Sequence, residues 1–323
     1  GLIVTTSLDL DLQEKAQEIV STEVKNLAPL QVGNGAAIIT KPGTGEVLAM
    51  VGSRNYFDLT RGGNFNVTTA SRQPGSSIKP INYSYALSHG YTPASIIADS
   101  PVTYDINGTP YSPKNYDGSF RGNVTLRTAL GSSLNVPAVK VLASYGVDKM
   151  IEQAKLMGIT TRNNPNRYGL SLTLGGGEVK MTDMATAYGV FANYGKKVPL
   201  NTILKVTDSN GKVLEENTCS NNSVTQNSKF KIQYSIVHAE VAPDDSCGES
   251  VIDNRTAFLI TDILHDNAAR TPAFGPASLL VIPDHPEVAV KTGTTQNLRD
   301  NCAIGYTKNY LVAAWVGNND NTP

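Results

Sequence analysis

Residues 286–317 read PEVAVKTGTTQNLRDNCAIGYTKNYLVAAWVG, and this stretch decides the fold class. Apolar residues alternate with small or polar ones over 287–291, 302–307 and 310–316, as is typical of strands with a buried face. The connections between the three segments are short, and short connections join antiparallel neighbours. The end of the chain therefore predicts three strands of one antiparallel sheet.

The beginning of the chain supplies two further strands. Residues 36–40 and 47–51 are mostly apolar, and between them lies Lys41-Pro42-Gly43-Thr44-Gly45-Glu46, whose proline and glycines suit a hairpin turn. We therefore expect one five-stranded antiparallel sheet built from residues of about 31–53 and 286–317.

The sequence between the two ends has mostly helical spacing of apolar residues. This pattern predicts one domain of the α/β (α+β) class over 31–323, with a helical subdomain between the two parts of the sheet and a linker and helix over 1–30. Asn, Ser, Gly and Thr dominate an irregular excursion at about 208–250. Helices are predicted from the polar segment 5–11 to about residue 27, and at about 76–87, 125–130, 136–145, 147–157, 181–194 and 256–266.

Composition excludes several classes of protein. The 323 residues carry 27 Lys plus Arg against 28 Asp plus Glu, and a net charge of −1 offers no basic face for nucleic acid. No apolar run approaches the roughly 18 residues of a membrane span, so we expect a soluble body. The three cysteines and four histidines show no ligand spacing, so no metal and no cofactor are expected. No signal peptide follows Gly1, which indicates a processed fragment.

The first motif that contains candidate catalytic residues is Arg72-Gln73-Pro74-Gly75-Ser76-Ser77-Ile78-Lys79-Pro80. Pro80 is tolerated in a first helical turn, so Ser76 is placed near the start of a helix and Lys79 lies on the same helical face. The lysine could then take the hydroxyl proton of the serine. A capping serine with a solvated lysine is the alternative, because the spacing recurs at Ser209/Lys212 and Ser228/Lys231.

A second motif, Gly131-Ser132-Ser133-Leu134-Asn135-Val136-Pro137, lies between two predicted helices. Pro137 suits the start of the second helix, and the loop before it could present Ser133 and Asn135 together. The bare Ser-x-Asn pattern also occurs at Ser53/Asn55 and Ser220/Asn222, and a helix cap is the alternative interpretation.

The third motif, Lys291-Thr292-Gly293-Thr294-Thr295, ends a predicted strand and holds the only Lys-Ser/Thr-Gly of the chain. Gly293 permits the close approach of another backbone, as a ligand bound along a strand edge requires. A strand that simply ends in a polar turn is the alternative.

In this order, the three motifs and their neighbours resemble the transpeptidase domain of bifunctional, class A penicillin-binding proteins. The resemblance covers nearly the whole chain except about 208–250. It implies the penicillin-recognising serine transferase fold, in which an antiparallel sheet flanked by helices and an all-helical subdomain enclose the active site. The similar segments are 72–80, 133–139, 174–179, 291–295 with Arg299-Asp300, and 315–320.

The resemblance also implies roles for the motif residues. Ser76 is the expected nucleophile, Lys79 its base, Ser133 a proton relay to the leaving amine and Asn135 a donor to the carbonyl of the substrate amide. Lys291 supplies positive potential. The hydroxyls of Thr292 and Thr294 hold the terminal carboxylate of the substrate, beside Gly293, and the backbone N–H groups of Ser76 and Thr294 form the oxyanion hole.

The function implied is that of a D,D-transpeptidase, which cross-links D-Ala-D-Ala stem peptides of peptidoglycan and is acylated by β-lactams. Three alternatives remain open: a D,D-carboxypeptidase, a non-catalytic sensor of β-lactams or muropeptides, and a serine β-lactamase. The last needs a water-activating carboxylate, commonly in a Glu-x-x-Leu-Asn loop, and no such string lies between the second and third motifs.

The resemblance further implies partners and a location. Stem peptides and β-lactams are the expected ligands, and proteins of cell-wall synthesis the expected partners. A glycosyltransferase domain and a membrane anchor are expected N-terminal to this segment, on the extracytoplasmic face of the bacterial cytoplasmic membrane. In that compartment Cys219 and Cys247 could form a disulfide, while Cys302 is expected to be a buried free thiol.

Overall fold

The structure is a computed structural model that describes residues 1–106, 108–161, 167–217, 219, 247–295 and 298–323. The helices are α1 Leu10–Asn26, α2 Lys79–Ser88, α3 Leu126–Gly131, α4 Asn135–Tyr145, α5 Val147–Leu156, α6 Met181–Ala192, α7 Asn254–His265 and α8 Asn267–Phe274. The strands are β1 Leu2–Thr6, β2 Asn34–Thr40, β3 Val47–Val51, β4 Ser71–Arg72, β5 Ile96–Asp99, β6 Tyr104–Ile106, β7 Thr109–Tyr111, β8 Gly122–Thr125, β9 Val179–Lys180, β10 Lys196–Lys197, β11 Ile203–Asp208, β12 Val213–Glu216, β13 Glu249–Ser250, β14 Ala289–Thr294, β15 Asp300–Tyr306 and β16 Leu311–Gly317.

The two ends of the chain meet in one five-stranded antiparallel sheet, as the sequence predicts. Its order is β14-β15-β16-β2-β3, and the two parts join where β16 pairs with β2. Ala313 lies opposite Ile38 in that register. The first strand in this order, β14, is an edge strand and carries the third motif.

Both faces of the sheet are covered, which explains why β2 is buried along its whole length. Successive side chains of a strand point to opposite faces. Ala37 and Ile39 accordingly pack with Ala16 of α1, whereas Ile38 joins the larger core that α2, α4, α6 and α7 build on the other face. The sheet is therefore the middle layer between α1 and the helical body.

The helical part agrees with the predicted ranges to within about two residues at most ends, with two differences. The helix of the first motif starts in a 3₁₀ turn, Gly75–Ile78, before α2 begins at Lys79. Helix α8 was not predicted, because Pro272 lies inside it and a proline ordinarily breaks a helical pattern. Asp266 caps α8 by accepting a hydrogen bond from the Ala269 N–H at 3.1 Å.

The N-terminal segment also differs from the expectation of a linker and helix. Helix α1 forms as predicted, but residues 2–6 before it form β1, which pairs with β11 about 200 positions further along the chain. Every residue of β1 is exposed, so buried and exposed positions do not alternate along it. That alternation is the local signal from which a strand can be predicted.

The predicted excursion at about 208–250 lies largely outside the described residues. At its described ends the structure joins Cys219 and Cys247 in a disulfide with a Cα–Cα distance of 5.6 Å. Cys302 is a free, half-buried thiol in β15. Within the described ranges, no helix has both the length and the apolar character needed to cross a bilayer, and no group of acidic, His and Cys side chains could hold a metal ion.

Candidate active site

Ser76 lies half-buried in the 3₁₀ turn that leads into α2. Three glycines hold this turn against its neighbours. A Cβ on Gly75 would lie 2.7 Å from the carbonyl oxygen of Thr294, and one on Gly293 only 2.1 Å from that of Pro74. Gly175, from the glycine-rich segment after 170, would place a Cβ 2.4 Å from Gly75. The serine turn therefore packs, backbone to backbone, against β14 on one side and this segment on the other.

Lys79 begins α2, and its side chain is fully buried one turn after Ser76. The Nζ donates to the carbonyl oxygen of Ser133 at 2.6 Å and to Oδ1 of Asn135 at 2.7 Å. The Oγ of Ser133 lies 3.4 Å away. The first and second motifs thus meet through the lysine amine, although their residues are more than 50 positions apart in sequence.

Ser133 connects this amine to the third motif. Its backbone has φ of 56°, in the left-handed region that a side chain other than glycine seldom adopts. Its Oγ accepts a hydrogen bond from Lys291 Nζ at 2.8 Å, and the same amine donates to the carbonyl oxygen of Thr292 at 2.7 Å. One hydroxyl therefore lies between two lysine amines.

Both amines lie in surroundings that lower their pKa values. Burial lowers the pKa of Lys79 well below its ordinary value, and the cation of Lys291 lowers it further. Burial, together with the charge of Arg270, lowers the pKa of Lys291 to about 7. Among the described residues, neither amine has a carboxylate within ion-pair distance that would oppose these shifts.

Arg270 is a site-related residue that the sequence analysis missed. This side chain of α8 is only 3% exposed, and its guanidinium donates to the carbonyl oxygens of Leu264 and Leu280, the latter at 2.9 Å. Helix α8 also supports the second motif, because Ser132 donates to the carbonyl oxygen of Ala269 at 2.8 Å. No local motif marks this arginine, since its own helix was not predicted.

The remaining predicted residues lie along β14 and at the start of α4. Lys291 and Gly293 are buried on one face of β14, while Thr292 and Thr294 are half-buried on the other. As an edge strand of the sheet, β14 has a free side to which an extended ligand could add. Asn135 donates its Nδ2 to the carbonyl oxygen of Lys114 at 2.9 Å.

Behind the serine turn, a small cavity of about 30 Å³ lies between the turn and strands β15 and β16 of the sheet. Pro74, Ser77 and Trp315 line it, together with Cys302. Burial raises the pKa of the Cys302 thiol to about 12, so this thiol is not activated as a nucleophile. The Ser76 hydroxyl, by contrast, makes no hydrogen bond to another described residue and is open to a partner.

Sheet, helical body and the three converging motifs define the penicillin-recognising class of fold. Residues 35–322 match the family model of the penicillin-binding protein transpeptidase domain. The chain belongs to this family, as the resemblance of its motifs predicts.

Two curated relatives are penicillin-binding protein 1A of Neisseria flavescens and of Rickettsia felis. The first is 33% identical over 287 residues, which are 88% of this chain and 32% of the relative. The second is 32% identical over 314 residues, or 95% of this chain and 38% of the relative. The chain thus spans about a third of the length of these relatives.

A solved structure of the penicillin-binding protein PonA1 from Mycobacterium tuberculosis shares the fold. It superimposes with a TM-score of 0.77 at 24% identity, covering 100% of this chain and 78% of that chain. The likeness to it confirms the predicted fold class.

Proposed function

We propose that this domain is a D,D-transpeptidase, which cross-links peptidoglycan by acyl transfer through Ser76. The observation that carries the proposal is the pair of buried amines, Lys79 and Lys291, that meet at the Ser133 hydroxyl. Lys79 lies one helical turn after Ser76. A serine hydroxyl needs a base to become a nucleophile, and a lysine serves as one only where its pKa is depressed. Burial supplies that condition for both amines, and it is reinforced by the charge of Lys291 at Lys79 and by that of Arg270 at Lys291.

In the acylation step, the Oγ of Ser76 attacks the carbonyl carbon between the two D-alanines, and its proton passes to the neutral Lys79 amine. The Ser133 hydroxyl, which lies between the two amines, gives its proton to the nitrogen of the leaving D-alanine as the C–N bond breaks. It takes a proton in turn from the Lys79 ammonium, 3.4 Å away, and Lys79 becomes neutral again. The products are free D-alanine and a Ser76 ester. The proton count closes, because the proton taken from Ser76 equals the one given to the leaving group.

Binding of the substrate falls to the groups around this centre. The backbone N–H groups of Ser76 and Thr294 stabilise the oxyanion, a contribution that is typically worth about 2.7–4 kcal/mol per donor. Thr292 and Thr294 hydroxyls, in the positive potential of Lys291, hold the terminal carboxylate. Asn135 uses one Nδ2 hydrogen for the Lys114 carbonyl and has the second for an amide carbonyl of the stem peptide.

In the second step an amine of another stem peptide attacks the ester, releases Ser76 and forms the cross-link. Water in place of the amine would make the enzyme a D,D-carboxypeptidase. A β-lactam acylates the same serine but keeps its leaving nitrogen tethered in the opened ring, so the ester persists.

The whole protein is proposed to work at the extracytoplasmic face of the bacterial cytoplasmic membrane. The resemblance to class A proteins, and relatives named penicillin-binding protein 1A of which this chain covers about a third, support an N-terminal glycosyltransferase domain with a membrane anchor. Other proteins of cell-wall synthesis are the proposed partners.

The decisive experiment is intact mass after incubation with benzylpenicillin, followed over hours. We expect one persistent adduct on the wild type and none on Ser76→Ala. Ser209→Ala is the matched control, because Ser209 and Lys212 have the same spacing but lie in the exposed β11–β12 turn, and it should be labelled like the wild type. An adduct that vanishes while the drug is consumed would indicate a β-lactamase. Labelling of Ser76→Ala would refute the assignment of Ser76 as the nucleophile.

A further inference from the structure

Helix α4, which presents Asn135, begins without a cap of its own. Its preceding residue, Leu134, offers no side-chain acceptor to the first N–H groups, which cannot be satisfied within the helix. The acceptor comes from a residue twenty positions earlier. Oδ1 of Asn115 lies 2.8 Å from the Asn135 nitrogen and 3.2 Å from the Val136 nitrogen. Asn115 therefore caps a helix to which it does not belong.

Asn115 is itself held firmly, since it is 5% exposed and its amide is fully engaged. The Nδ2 lies 2.8 Å from both carboxylate oxygens of Asp99 and 2.8 Å from the carbonyl oxygen of Ser119. Asp99 is completely buried and also accepts from the Arg121 N–H at 2.9 Å. The carboxylate can only accept and the helix N–H groups can only donate, so the orientation of the Asn115 amide is determined by its neighbours.

The same segment holds Asn135 at a second point. The carbonyl oxygen of Lys114 accepts the Asn135 side-chain amide at 2.9 Å, while Asn115 accepts the Asn135 backbone N–H. With backbone and Nδ2 both tied, Oδ1 of Asn135 faces Lys79 Nζ at 2.7 Å. The orientation of Asn135 toward the lysine thus depends on residues 114–115, and these depend on Asp99.

We propose that Asn115, locked by Asp99, is a positioning residue of the acyl-transfer site. It sets the Ser133–Asn135 loop and the start of α4 against Lys79 without touching substrate. This inference rests on the proposed function, because acyl transfer from Ser76 is the activity that it adjusts. Fixed geometry of this kind is what a proton-transfer site requires.

The test compares acylation rates at saturating benzylpenicillin with thermal unfolding for three variants. In Asn115→Asp, two carboxylates face each other, and a misplaced loop should slow acylation by roughly 10²-fold. Asn115→Ala, which removes the cap, should slow it to a similar extent. In the exchange variant, Asp99→Asn with Asn115→Asp, an amide again donates to a carboxylate between positions 99 and 115, although the bond to the Ser119 carbonyl oxygen is lost. Part of the lost rate should therefore return. A general loss of packing would not be rescued by exchanging the two side chains.

Asn193→Ala is the matched control. Asn193 is equally buried, at 5% exposure, and its Nδ2 donates to the carbonyl oxygens of Lys196 and Cys247, away from α4. This variant should melt earlier and acylate at the wild-type rate. The inference is overturned if folded Asn115→Ala acylates like the wild type, or if the exchange variant is as slow as Asn115→Asp. A wild type that forms no Ser76 adduct would overturn the proposed function and this inference with it.

Discussion

At the scale of single residues, the site depends on lysines placed where a lysine is least stable as a cation. Lys79 is fully buried and Lys291 is 3% exposed. Burial removes water from each amine and thereby lowers its pKa. Hydrogen bonds to Ser133 and to carbonyl oxygens keep the amines oriented without adding negative charge. A carboxylate in place of one of these hydrogen-bond partners would stabilise the charged form of the amine, and the lysine would no longer act as a base.

The depressed pKa of Lys291 predicts how stability changes with pH. Between about pH 7 and the ordinary lysine value of 10.5, the unfolded chain binds a proton at this residue that the folded chain does not. The free energy of unfolding should therefore rise with pH in this window, by up to about 1.4 kcal/mol per pH unit for this group. Urea unfolding of the wild type and of Lys291→Met should show a shallower rise in the variant.

Lys15→Met is the control for this measurement, because Lys15 lies exposed on α1 and pairs with Glu18. It should keep the wild-type slope. Lys79 contributes in the same direction as Lys291, so the slope should shrink rather than vanish. An unchanged slope in Lys291→Met would show that Lys291 stays protonated in the folded protein.

At the scale of elements, the serine turn and β14 touch through their backbones, and glycines make this possible. Gly75 adopts φ of 54° and faces Thr294, while Gly293 faces Pro74. This contact sets the distance between the nucleophile and the strand that is proposed to bind substrate. A side chain at either glycine would separate the two elements.

Gly293→Ala should therefore destabilise the fold and slow acylation. Its Cβ would meet backbone atoms that cannot move alone, and overpacking of this kind typically costs about 1–3 kcal/mol. Gly305→Ala in the neighbouring β15 is the control, since there the nearest atoms are 3.8 Å away, at ordinary contact distance. Urea midpoints and acylation rates measure both effects. Equal urea midpoints and acylation rates in the two variants would contradict the proposal that the backbone contact at Gly293 holds the serine turn against β14.

At the scale of the whole molecule, the proposed site and the disulfide between Cys219 and Cys247 have different hydrogen-bond partners. The two proposed catalytic lysines hydrogen-bond to Ser133 and Asn135. The disulfide joins Cys219 to Cys247, whose carbonyl oxygen accepts from Asn193. Among the described residues, no hydrogen bond of the site involves either cysteine. Stability and acylation should therefore respond differently to loss of the disulfide.

Replacing Cys219 and Cys247 by serine should lower the unfolding free energy and leave the acylation rate unchanged. The bond spans a sequence separation of 28, and a loop of this size is worth about 3–4 kcal/mol in the chain-entropy account. Denaturant unfolding before and after reduction measures the difference, and the double variant, treated with the same reductant, is the control. A parallel fall in acylation would show that this region acts on the site.

Much of the fold was predictable because its signals are local. Alternation in 302–307 and 310–316 and helical spacing in 136–145 are properties of neighbouring residues, and the structure confirms them. Strand β1 and helix α8 were not predictable in this way. The partner strand of β1 lies about 200 residues away. Helix α8 forms although Pro272 lies inside it, so packing outweighs the low helix propensity of proline there.

The sequence by itself determined the family, the sheet formed from both ends of the chain, and the identity of the motif residues. Only the tertiary structure decided that the Ser133 hydroxyl lies between two amines and that Asn115 caps α4. These contacts join residues that are between 20 and 158 positions apart. Spacing along the chain contains no information about them, because burial, and with it the lowered pKa of each lysine, exists only after the distant segments have packed together.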